Sequence, residues 1–382
     1  MIRVILMIDY SSEFDRTLLR GIMRYSKENG PWSFYRISAD SATGDERCRE
    51  VIRIAKKWKA DAIIGRWSDR ELASLDGLHI PIVLQNYHHR STIYSNITGD
   101  YKGTGALAAD FFYDRRYSNF AFFGIKGVVW SDERLSGYKD AIQRKGGFLF
   151  SYEMLDAVSM DRSRIASWLR TLPHGTALFC CDDERALTIT EICRAEGIDI
   201  PSELSVLGVD NDDLICCISD PQISSVQLDV EQGGYMLCKR LHNQILNPDS
   251  GQFSIVINPI AIKERNSTAF QILDQNVLRL VQYINDHYTQ HLTISKLLDD
   301  VPLSRRSIES RFKKVMGMGI YQYVLDCRIS RVAQLLVTTE RSLSDIASEA
   351  GIQDNNSLTK LFKKKMNCTP AEYRRKFCAF SS

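Results

Sequence analysis

The sequence predicts a two-lobed, doubly wound α/β domain followed by a small all-α domain. Two observations predict this fold class. Short apolar runs alternate with amphipathic helical stretches from the N-terminus to Arg265, and from Leu278 onward the apolar residues fall only at helical spacing. A chain of 382 residues is long enough to form two or three separate cores, so two domains of this size are expected.

The α/β domain is predicted from nine strand-length runs that are apolar on both faces. They are "RVILMID", "WSFYRIS", "ADAIIGR", "IPIVLQN", "NFAFFGI", "FLFSYEML", "GTALFCC", "LSVLGVD" and "ISSVQLD". Between most of them lie helix-length segments such as "EFDRTLLRGIMRYSKEN", a pattern typical of parallel strands covered by helices on both faces. Nine strands exceed the usual size of one sheet, so we expect two lobes.

Composition and charge narrow the possible partners. No apolar run approaches the roughly 20 residues of a membrane span, and we expect a cytoplasmic protein without a membrane partner. The ten cysteines lie largely in apolar runs such as "LFCCDD", which predicts buried, reduced thiols. From residue 272 to residue 382 there are 17 Lys and Arg against 11 Asp and Glu, so this basic segment is suited to a polyanion.

The all-α domain contains one basic helix written twice, as "RRSIESRFKK" at 305–314 and "NNSLTKLFKK" at 355–364. Each copy follows a short predicted helix and a turn, with Thr293 and Ser304 as expected N-caps in the first copy and Ser342 or Ser344 in the second. Pro302 is expected to end the short helix of the first copy. A helix, a tight turn and a second helix with polar residues outward form a helix-turn-helix unit, whose second helix reads the major groove of DNA.

The residues expected to contact DNA lie on the outward faces of the two basic helices. For a single charge run the alternative is a solvated helix face, but duplication and a connecting helix of about 26 Å at 1.5 Å per residue favour DNA. We expect Lys313 and Lys363 to contact phosphates and the others to face bases. The predicted set is Arg305, Arg306, Glu309, Ser310, Lys313, Asn355, Asn356, Thr359, Lys360 and Lys363.

The stretch "SDIASEAGIQDNNSLTKLFKKKMNCTPAEYRR" resembles the signature of the AraC family of transcription regulators. "LSRRSIESRFKKVMG" and "RISRVAQLL" resemble its first half, and the likeness covers about residues 275 to 377. The chain departs from the pattern at Ile352, Ser357, Leu358 and Asn367. The resemblance implies two DNA-binding helix-turn-helix units, at about 293–316 and 343–366.

No group of residues in the α/β domain predicts catalysis or a cofactor. The dinucleotide-binding, P-loop, metalloprotease and nucleophile-elbow motifs are all absent from the sequence. His88 and His89 in "NYHHR" are interpreted as polar strand-end residues rather than metal ligands. We therefore expect no catalytic residues, no metal and no cofactor.

Polar residues instead follow several strands, where ligands of open α/β sheets bind. They occur in "MIDYSSEFDR", "LQN", "VWSDERLSGY", "CCDD" and "LGVDNDD". Carboxylates and arginine hydrogen-bond sugar hydroxyls, and the aromatic rings of Phe14, Trp67, Tyr87 and Trp130 are candidates to cover a sugar ring. For Asp132 and Asp183, helix capping is the alternative to ligand binding.

"RLSGYKDAI" and "LSVLGVDND" resemble the LacI-type, periplasmic-binding-protein-like (type I) sensor fold. The resemblance implies that Arg134 and Asp210 hold sugar hydroxyls. The family usually has a glutamine where Leu228 stands, so either Gln227 substitutes for it or this contact is lost and another sugar is preferred. The complete predicted ligand set is Phe14, Asp15, Arg16, Asn86, Arg134, Asp182, Asp210, Asn211 and Gln227.

The order of the two domains, with "FDRTLLRGI" and "ISSVQLDVEQGGY", resembles pentose-responsive operon regulators. We expect a homodimer that binds a pentose and DNA half-sites and, as an activator, contacts RNA polymerase. Two alternatives stay open: a constitutive regulator whose α/β domain only dimerises, and a sugar-modifying enzyme with Asp182 and Asp210 as acid and base. The expected boundaries are 1–265 for the sensor, 266–275 for a linker and 276–378 for the DNA-binding domain.

Overall fold

A computed structural model describes the chain at residues 1–8, 11–37, 45–85, 90–155, 161–269, 274–290, 292, 303–366 and 368–377. Twelve strands occur in these residues, in two six-stranded sheets. The strands are β1 (Ile2–Met7), β2 (Trp32–Arg36), β3 (Ala62–Gly65), β4 (Ile82–Leu84), β5 (Ser95–Gly99), β6 (Asn119–Ile125), β7 (Leu149–Met154), β8 (Thr176–Cys180), β9 (Leu204–Val209), β10 (Ser224–Leu228), β11 (Ser254–Ile257) and β12 (Pro259–Lys263).

Each sheet is the centre of one lobe. Lobe 1 has the strand order β11-β5-β4-β3-β1-β2, and its paired strands are parallel. Lobe 2 has the order β12-β10-β9-β8-β6-β7 and is parallel except for β12, which pairs antiparallel with β10 across a bulge. The predicted two-lobed, doubly wound fold is therefore confirmed.

Helices cover the sheets of both lobes and build the C-terminal part of the chain. Their ranges are α1 (Glu13–Glu28), α2 (Asp45–Trp58), α3 (Asp69–Leu75), α4 (Tyr101–Asp114), α5 (Val129–Arg144), α6 (Arg162–Leu169), α7 (Asp183–Glu196), α8 (Asp213–Ile218), α9 (Val230–Leu246), α10 (Gln275–His287), α11 (Arg305–Met316), α12 (Ile320–Thr338), α13 (Leu343–Glu349), α14 (Asn355–Met366) and α15 (Pro370–Phe377). None of the helices described is long and apolar enough to cross a membrane.

Two helix pairs are packed backbone to backbone through reciprocal glycines, one pair in each lobe. In lobe 1, a Cβ on Gly21 of α1 would overlap the carbonyl oxygen of Glu231 in α9, and one on Gly234 of α9 would overlap that of Leu18. In lobe 2, Gly105 of α4 and Gly137 of α5 make the same kind of approach. Any side chain at these positions would push the helices apart, so each pair is held as a rigid unit.

The chain passes between the lobes three times, after β5, after β10 and between β11 and β12. The crossings are hydrogen-bonded to each other: the Asp100 amide donates to the Ile257 carbonyl at 2.8 Å, and the Asp229 amide donates to the Asn258 carbonyl at 3.0 Å. A cluster of three short crossings is a natural place for the lobes to bend relative to each other.

The C-terminal domain uses the same apolar frame twice, once in each basic helix. Helix α11 buries Ile308, Phe312 and Met316, and helix α14 buries the equivalent Leu358, Phe362 and Met366. Each phenylalanine packs edge-to-face against a tyrosine of the next helix along the chain. The Phe312 and Tyr323 rings lie 5.6 Å apart, and the Phe362 and Tyr373 rings lie 5.3 Å apart.

Serine N-caps begin α11 and α13. The Ser304 hydroxyl accepts the Ser307 amide at 3.4 Å, and Ser342, one of the two predicted caps, accepts the Asp345 amide at 3.2 Å. The connecting helix α12 spans 19 residues, about 28 Å at 1.5 Å per residue. The predicted helix that begins near Thr293 and ends at Pro302 lies outside the described residues, and the predicted domain boundaries stay a prediction.

Candidate functional sites

A cavity of roughly 240 Å³ lies between the lobes, beyond the carboxyl ends of the strands. This is where ligands bind in parallel α/β sheets. Lobe 1 contributes the residues that follow β1 and β4, and lobe 2 contributes residues of α4 and those that follow β6, β8 and β9. The lining is Ser11, Ser12, Glu13, Phe14 and Gln85 from lobe 1, with Tyr101, Trp130, Arg134, Asp182, Asp183, Glu184, Arg185, Asp210, Asp212 and Ile215 from lobe 2.

Arg134 is held rigidly in the cavity wall. Its side chain is only 3% exposed, Nη1 donates to the Cys181 carbonyl at 2.5 Å, and Nη2 lies 3.5 Å from Asp210 Oδ1. The rings of Tyr101 and Trp130 flank the guanidinium, each with its centroid 5.4 Å from the central carbon. The Nε atom is buried with no hydrogen-bond partner among the described residues. The guanidinium thus retains donor capacity that a ligand oxygen could satisfy.

Asp210 and Asn211 form a left-handed turn at the end of β9, with φ of 98° and 52°. Ser225 accepts the Asn211 amide at 3.0 Å, and Arg265 donates to the Asn211 side chain at 2.8 Å, so Asn211 is used inside the protein. Asp210 keeps 24% of its side chain exposed. Burial raises the pKa of its carboxyl to about 6, although the positive charge of Arg134 acts to lower it.

Asp183 holds this turn in place through two hydrogen bonds, a role that was not predicted from the sequence. Its carboxyl accepts the Ser225 hydroxyl at 2.6 Å and the Asp212 amide at 2.8 Å. Burial and the nearby Asp210 carboxyl raise the pKa of Asp183 well above its usual range. The only available signal was the doubled aspartate in "CCDDE".

Asp182 is the N-cap of α7, where it accepts the Arg185 amide at 2.8 Å. The capping role left open for Asp183 therefore belongs to its neighbour. Arg185 also pairs with the Asp182 carboxylate at 3.0 Å. Asp132, the other capping candidate, accepts the Gly127 amide at 3.1 Å in the loop before α5.

Asp15 lies behind the cavity wall and positions a residue that lines it. It is fully buried, accepts the Gln85 amide nitrogen at 2.8 Å and pairs with Arg66 at 2.5 Å. The Gln85 Oε1 atom is buried without a hydrogen-bond partner among the described residues. Gln85 is thus an acceptor that sequence reasoning missed, one residue before the predicted Asn86, which is outside the described residues.

Arg16 bridges the two lobes instead of lining the cavity. From α1 in lobe 1 its Nη2 atom lies 2.8 Å from Asp212 Oδ2 in lobe 2, and it also pairs with Glu13 at 3.1 Å. A second bridge runs from Arg90 Nη2 to Glu133 Oε2 at 2.7 Å. These ion pairs stabilise the arrangement of the lobes that the structure shows.

Of the remaining predicted ligand contacts, some line the cavity and others lie elsewhere. Phe14 and Trp130 line the cavity, and Tyr101 adds an aromatic wall that was not predicted. Trp67 is buried elsewhere, with its ring centroid 5.3 Å from the Arg47 guanidinium carbon. Gln227 is exposed on β10 and does not line the cavity, so we leave it out of the candidate site.

The cavity has the chemistry of a polyhydroxylated ligand. It offers several carboxylates, two arginines, an amide and hydroxyls, which can accept from and donate to hydroxyl groups, and aromatic faces that can cover apolar C–H surface. No cluster of three or more His, Cys, Asp or Glu suited to a metal occurs within the part of the chain that the structure describes.

The second candidate site is the outer surface of α11 and α14. Most of the predicted DNA contacts are well exposed there, whereas Glu309 and Thr359 are half-buried. Glu309 pairs with Arg305 at 2.9 Å, and the Thr359 hydroxyl donates to the Asn355 carbonyl at 2.8 Å. The exposed set is Arg305, Arg306, Ser310, Lys313, Asn355, Asn356, Lys360 and Lys363, of which the arginines begin α11 and the asparagines begin α14.

Comparison with known families gives the class of protein that these two sites define. Residues 109–268 match the periplasmic binding protein-like domain, and residues 297–376 match a helix-turn-helix domain. The chain thus joins a periplasmic-binding-protein-like domain to a helix-turn-helix domain, which confirms the two kinds of domain that the sequence resemblances implied.

Similarity to a known protein extends over nearly the whole chain. The chain is 26% identical to the "Xylose operon regulatory protein" of Escherichia coli (strain K12), over 97% of this chain and 96% of the relative. A solved structure described as "xylose-binding transcription activator xylR" superposes with a TM-score of 0.62 at 24% identity, covering 98% of both chains. A LacI family regulator from Enterococcus faecium with bound ribose covers 70% of this chain and 99% of its own, with a TM-score of 0.58 at 20% identity.

Proposed function

We propose that the protein is a sugar-responsive, sequence-specific DNA-binding transcription regulator. One observation carries this proposal: a single chain contains an interlobe cavity lined by carboxylates, arginine and aromatic rings together with two exposed recognition helices. The xylose operon regulators among its relatives support a pentose of the xylose type as the effector. They also support control of a catabolic operon, and we propose that the protein activates its transcription.

In the proposed site, each cavity residue binds a distinct part of the sugar. The Arg134 guanidinium donates hydrogen bonds to hydroxyl or ring oxygens, while the Asp210 and Asp182 carboxylates accept hydrogen bonds from hydroxyl groups. The Gln85 Oε1 atom accepts one further hydroxyl from the lobe 1 side. Trp130 covers an apolar face of the ring, as aromatic side chains do in carbohydrate sites.

Binding between the lobes changes the population of lobe arrangements. A sugar that contacts both lobes favours the closed arrangement by the difference between its affinities for the two states. In a homodimer joined through the α/β domains, this change would reorient the two DNA-binding domains relative to one another. We propose that this reorientation lets both engage half-sites in the cytoplasm, from which position they contact RNA polymerase.

Calorimetry and thermal shift with D-xylose, D-ribose, L-arabinose and D-glucose test the effector. A native-state ligand raises the unfolding temperature, by an amount equivalent to about 2.7 kcal/mol at 100 times its Kd. We expect D-xylose to give the largest rise. Absence of binding by every sugar of this panel would contradict the sensor role and favour the alternative of a constitutive regulator whose α/β domain only dimerises.

Two variants test the site itself. Asp210→Asn removes a charged acceptor and is expected to weaken sugar binding about 10- to 100-fold. Gln227→Ala changes an exposed residue of the same lobe and is the control, expected to leave affinity unchanged. Equal losses in both variants would contradict the proposed cavity and return Gln227 to the site.

The raised pKa of Asp210 gives a pH signature. Burial raises this pKa to about 6, so the carboxylate is ionised at pH 7.5 and protonated at pH 5. Because sugar hydroxyls donate to the ionised form, affinity is full well above pH 6 and falls as the pH is lowered through 6. Asp210→Asn should flatten most of this slope, whereas an unchanged slope would assign it to another group.

We further propose that the protein is not an enzyme. The other alternative, a sugar-modifying enzyme, uses Asp182 and Asp210 as acid and base, but each carboxyl faces an arginine, whose charge favours the ionised form that accepts hydrogen bonds from hydroxyls. Incubation of the protein with each sugar and analysis of the products distinguishes these functions. A sensor returns every sugar unchanged, and catalytic turnover lost in Asp210→Asn would overturn the proposal.

A further inference from the structure

The helix-turn-helix domain lies against the end of lobe 2 that is opposite the sugar cavity. We use the name lobe 2 base for Ser118, His174 and Glu203, which lie just before β6, β8 and β9. The residues that follow the same strands line the cavity, including Asp182 after β8 and Asp210 after β9. Three hydrogen-bonded parallel strands therefore run directly from the cavity to this surface.

The lobe 2 base shares two small cavities with the DNA-binding domain. One, of roughly 300 Å³, is lined by Tyr117 and Ser118 together with Asn285 and Arg331. The Ser118 side chain also interacts with the phenol of Tyr323 on α12, which donates to Asn285 Oδ1 at 3.2 Å. Polar groups of both domains therefore face each other across this cavity.

The second cavity, of roughly 190 Å³, brings Lys365 of α14 to the lobe 2 base beside His174 and Glu203. His174 Nε2 lies 3.3 Å from Glu203 Oε2. Burial and the charge of Lys365 lower the pKa of His174, and the Glu203 carboxylate offsets only part of this effect. Lys365 thus lines the same cavity as both members of the His174–Glu203 pair.

Lys365 breaks the symmetry of the repeated frame. Its counterpart in α11 is Val315, which packs against the apolar core of the first unit. Lys365 instead pairs at 2.8 Å with Asp326 of α12, a carboxylate with only 6% of its side chain exposed. A lysine fixed by a nearly buried carboxylate presents its charge at a defined position, because moving it would leave Asp326 unpaired.

The apolar packing shows the same asymmetry. The buried residues of the second unit, including Leu358 and Phe362, belong to one continuous cluster with Cys193 and Leu204 of lobe 2. The core of the first unit, built around Phe312, is a separate cluster. The second unit is therefore the part of the DNA-binding domain whose apolar core is continuous with that of the sensor.

We propose that the lobe 2 base is the docking surface for the second helix-turn-helix unit of the same chain, and that Glu203 and Lys365 are the positioning residues of this contact. In this arrangement α14 moves with lobe 2, so closure of the lobes on sugar turns the second recognition helix relative to lobe 1. This coupling rests on the proposed sugar-sensing function, whereas the docking itself does not.

The docking is tested without sugar or DNA by hydrogen exchange of α14. Glu203→Arg places a second positive charge opposite Lys365, and we expect α14 amides to exchange about two- to fivefold faster. Glu191→Arg is the matched control, because Glu191 is also a lobe 2 carboxylate in an ion pair, with Arg162 at 2.5 Å, outside the docking surface. Unchanged exchange in Glu203→Arg, or equal acceleration in both variants, would overturn the docking.

The coupling is tested on a DNA fragment that the wild-type protein selects from a random library. The measured quantity is the DNA Kd without D-xylose divided by the DNA Kd with it. In proteins that couple two binding sites, such a ratio is typically about 5 to 150. We expect Glu203→Arg to bring this ratio close to one while its D-xylose Kd stays at the wild-type value. A wild-type ratio kept in Glu203→Arg would overturn the positioning role. No D-xylose binding by the wild type would instead overturn D-xylose as the proposed effector and leave the exchange result valid.

Discussion

The two helix-turn-helix units have the same frame in different surroundings. Both basic helices bury an aliphatic residue, a phenylalanine and a methionine at the same spacing, and both phenylalanines pack against a tyrosine. The core of the first unit, however, is closed on itself, whereas the second is continuous with lobe 2. The two units therefore share the buried residues that hold each helix in place and differ in the apolar core to which those residues belong.

The outward tips differ as well. Helix α11 begins with Arg305 and Arg306, and α14 begins with Asn355 and Asn356. Arginine pairs well with guanine and asparagine with adenine, so the difference is suited to reading two different groups of bases. The comparison indicates one unit whose apolar core is separate from the sensor and one whose apolar core is continuous with it.

The largest expected effect comes from removing the buried rings. Phe312→Ala and Phe362→Ala should each destabilise their unit by about 3–5 kcal/mol, because both side chains are fully buried. We expect Phe312→Ala to leave the unfolding transition of the sensor unchanged and Phe362→Ala to lower it. Scanning calorimetry measures the unfolding transition of the sensor, and chemical unfolding monitored by far-UV circular dichroism measures the loss of stability.

A sensor transition that responds equally to the two substitutions would contradict the separation of the cores. Trp130→Ala serves as the control for the sensor, because it changes the cavity lining without touching either unit.

The next largest difference concerns two glycines with positive φ. Gly351 in the turn after α13 has φ of 75°, and a Cβ there would overlap the backbone of Thr289 after α10. Gly317 after α11 has φ of 71° with open space around it. We expect Gly351→Ala to cost roughly 2–4 kcal/mol and Gly317→Ala about 1–2 kcal/mol. Equal losses of stability on urea unfolding would show that backbone contact between the units does not matter.

Base recognition sharpens the comparison further. Arg305→Ala and Asn356→Ala should each lose about 1–3 kcal/mol of discrimination, at positions about one helical turn apart in the selected DNA. Selection of each variant from a random library identifies the relaxed positions. Lys363→Ala is the control, expected to weaken all sequences alike. Relaxation at one shared position would contradict a half-site read by two helices.

The smallest effect is expected at the N-caps. Asp354 accepts the Asn356 and Ser357 amides at 2.8 and 2.9 Å, whereas Ser304 accepts one amide at 3.4 Å. Asp354→Ala should therefore destabilise more than Ser304→Ala near neutral pH. The hydrogen bonds lower the pKa of Asp354, so its contribution is present above the unfolded pKa of about 3.9 and is lost as the pH falls through the lowered value. Thermal unfolding at pH 7 and pH 3 should show the difference disappear in acid.

Most of the fold was readable because buried strands and amphipathic helices have distinct periods. All nine predicted strand runs contain a strand of the structure. Three further strands, β5, β11 and β12, were missed. Strand β5 reads "SNITG", without an apolar run, and β11 and β12 lie at sheet edges, where several side chains are exposed and no apolar alternation is required.

The site was less predictable than the fold. Arg134, Asp182, Asp210 and Phe14 line the cavity as expected, because strand ends meet at one edge of a parallel sheet. The predicted ligand contacts that instead bind protein partners are Asp15, Arg16 and Asn211, whose partners are Gln85, Asp212 and Arg265. A residue's place on a strand or helix can be read from local pattern, but which polar side chains bind one another depends on the approach of elements far apart in the chain.

The reciprocal glycines of the helix pairs have a consequence for engineering. A biosensor for a new sugar requires changes in the cavity lining, where side chains such as Trp130 and Phe14 are only half-buried. Gly21, Gly105, Gly137 and Gly234 allow no such changes, because even one methyl group would collide with a carbonyl of the opposing helix. A mutant library that holds these four codons constant and randomises the lining should therefore contain more folded members than one randomised throughout the sensor.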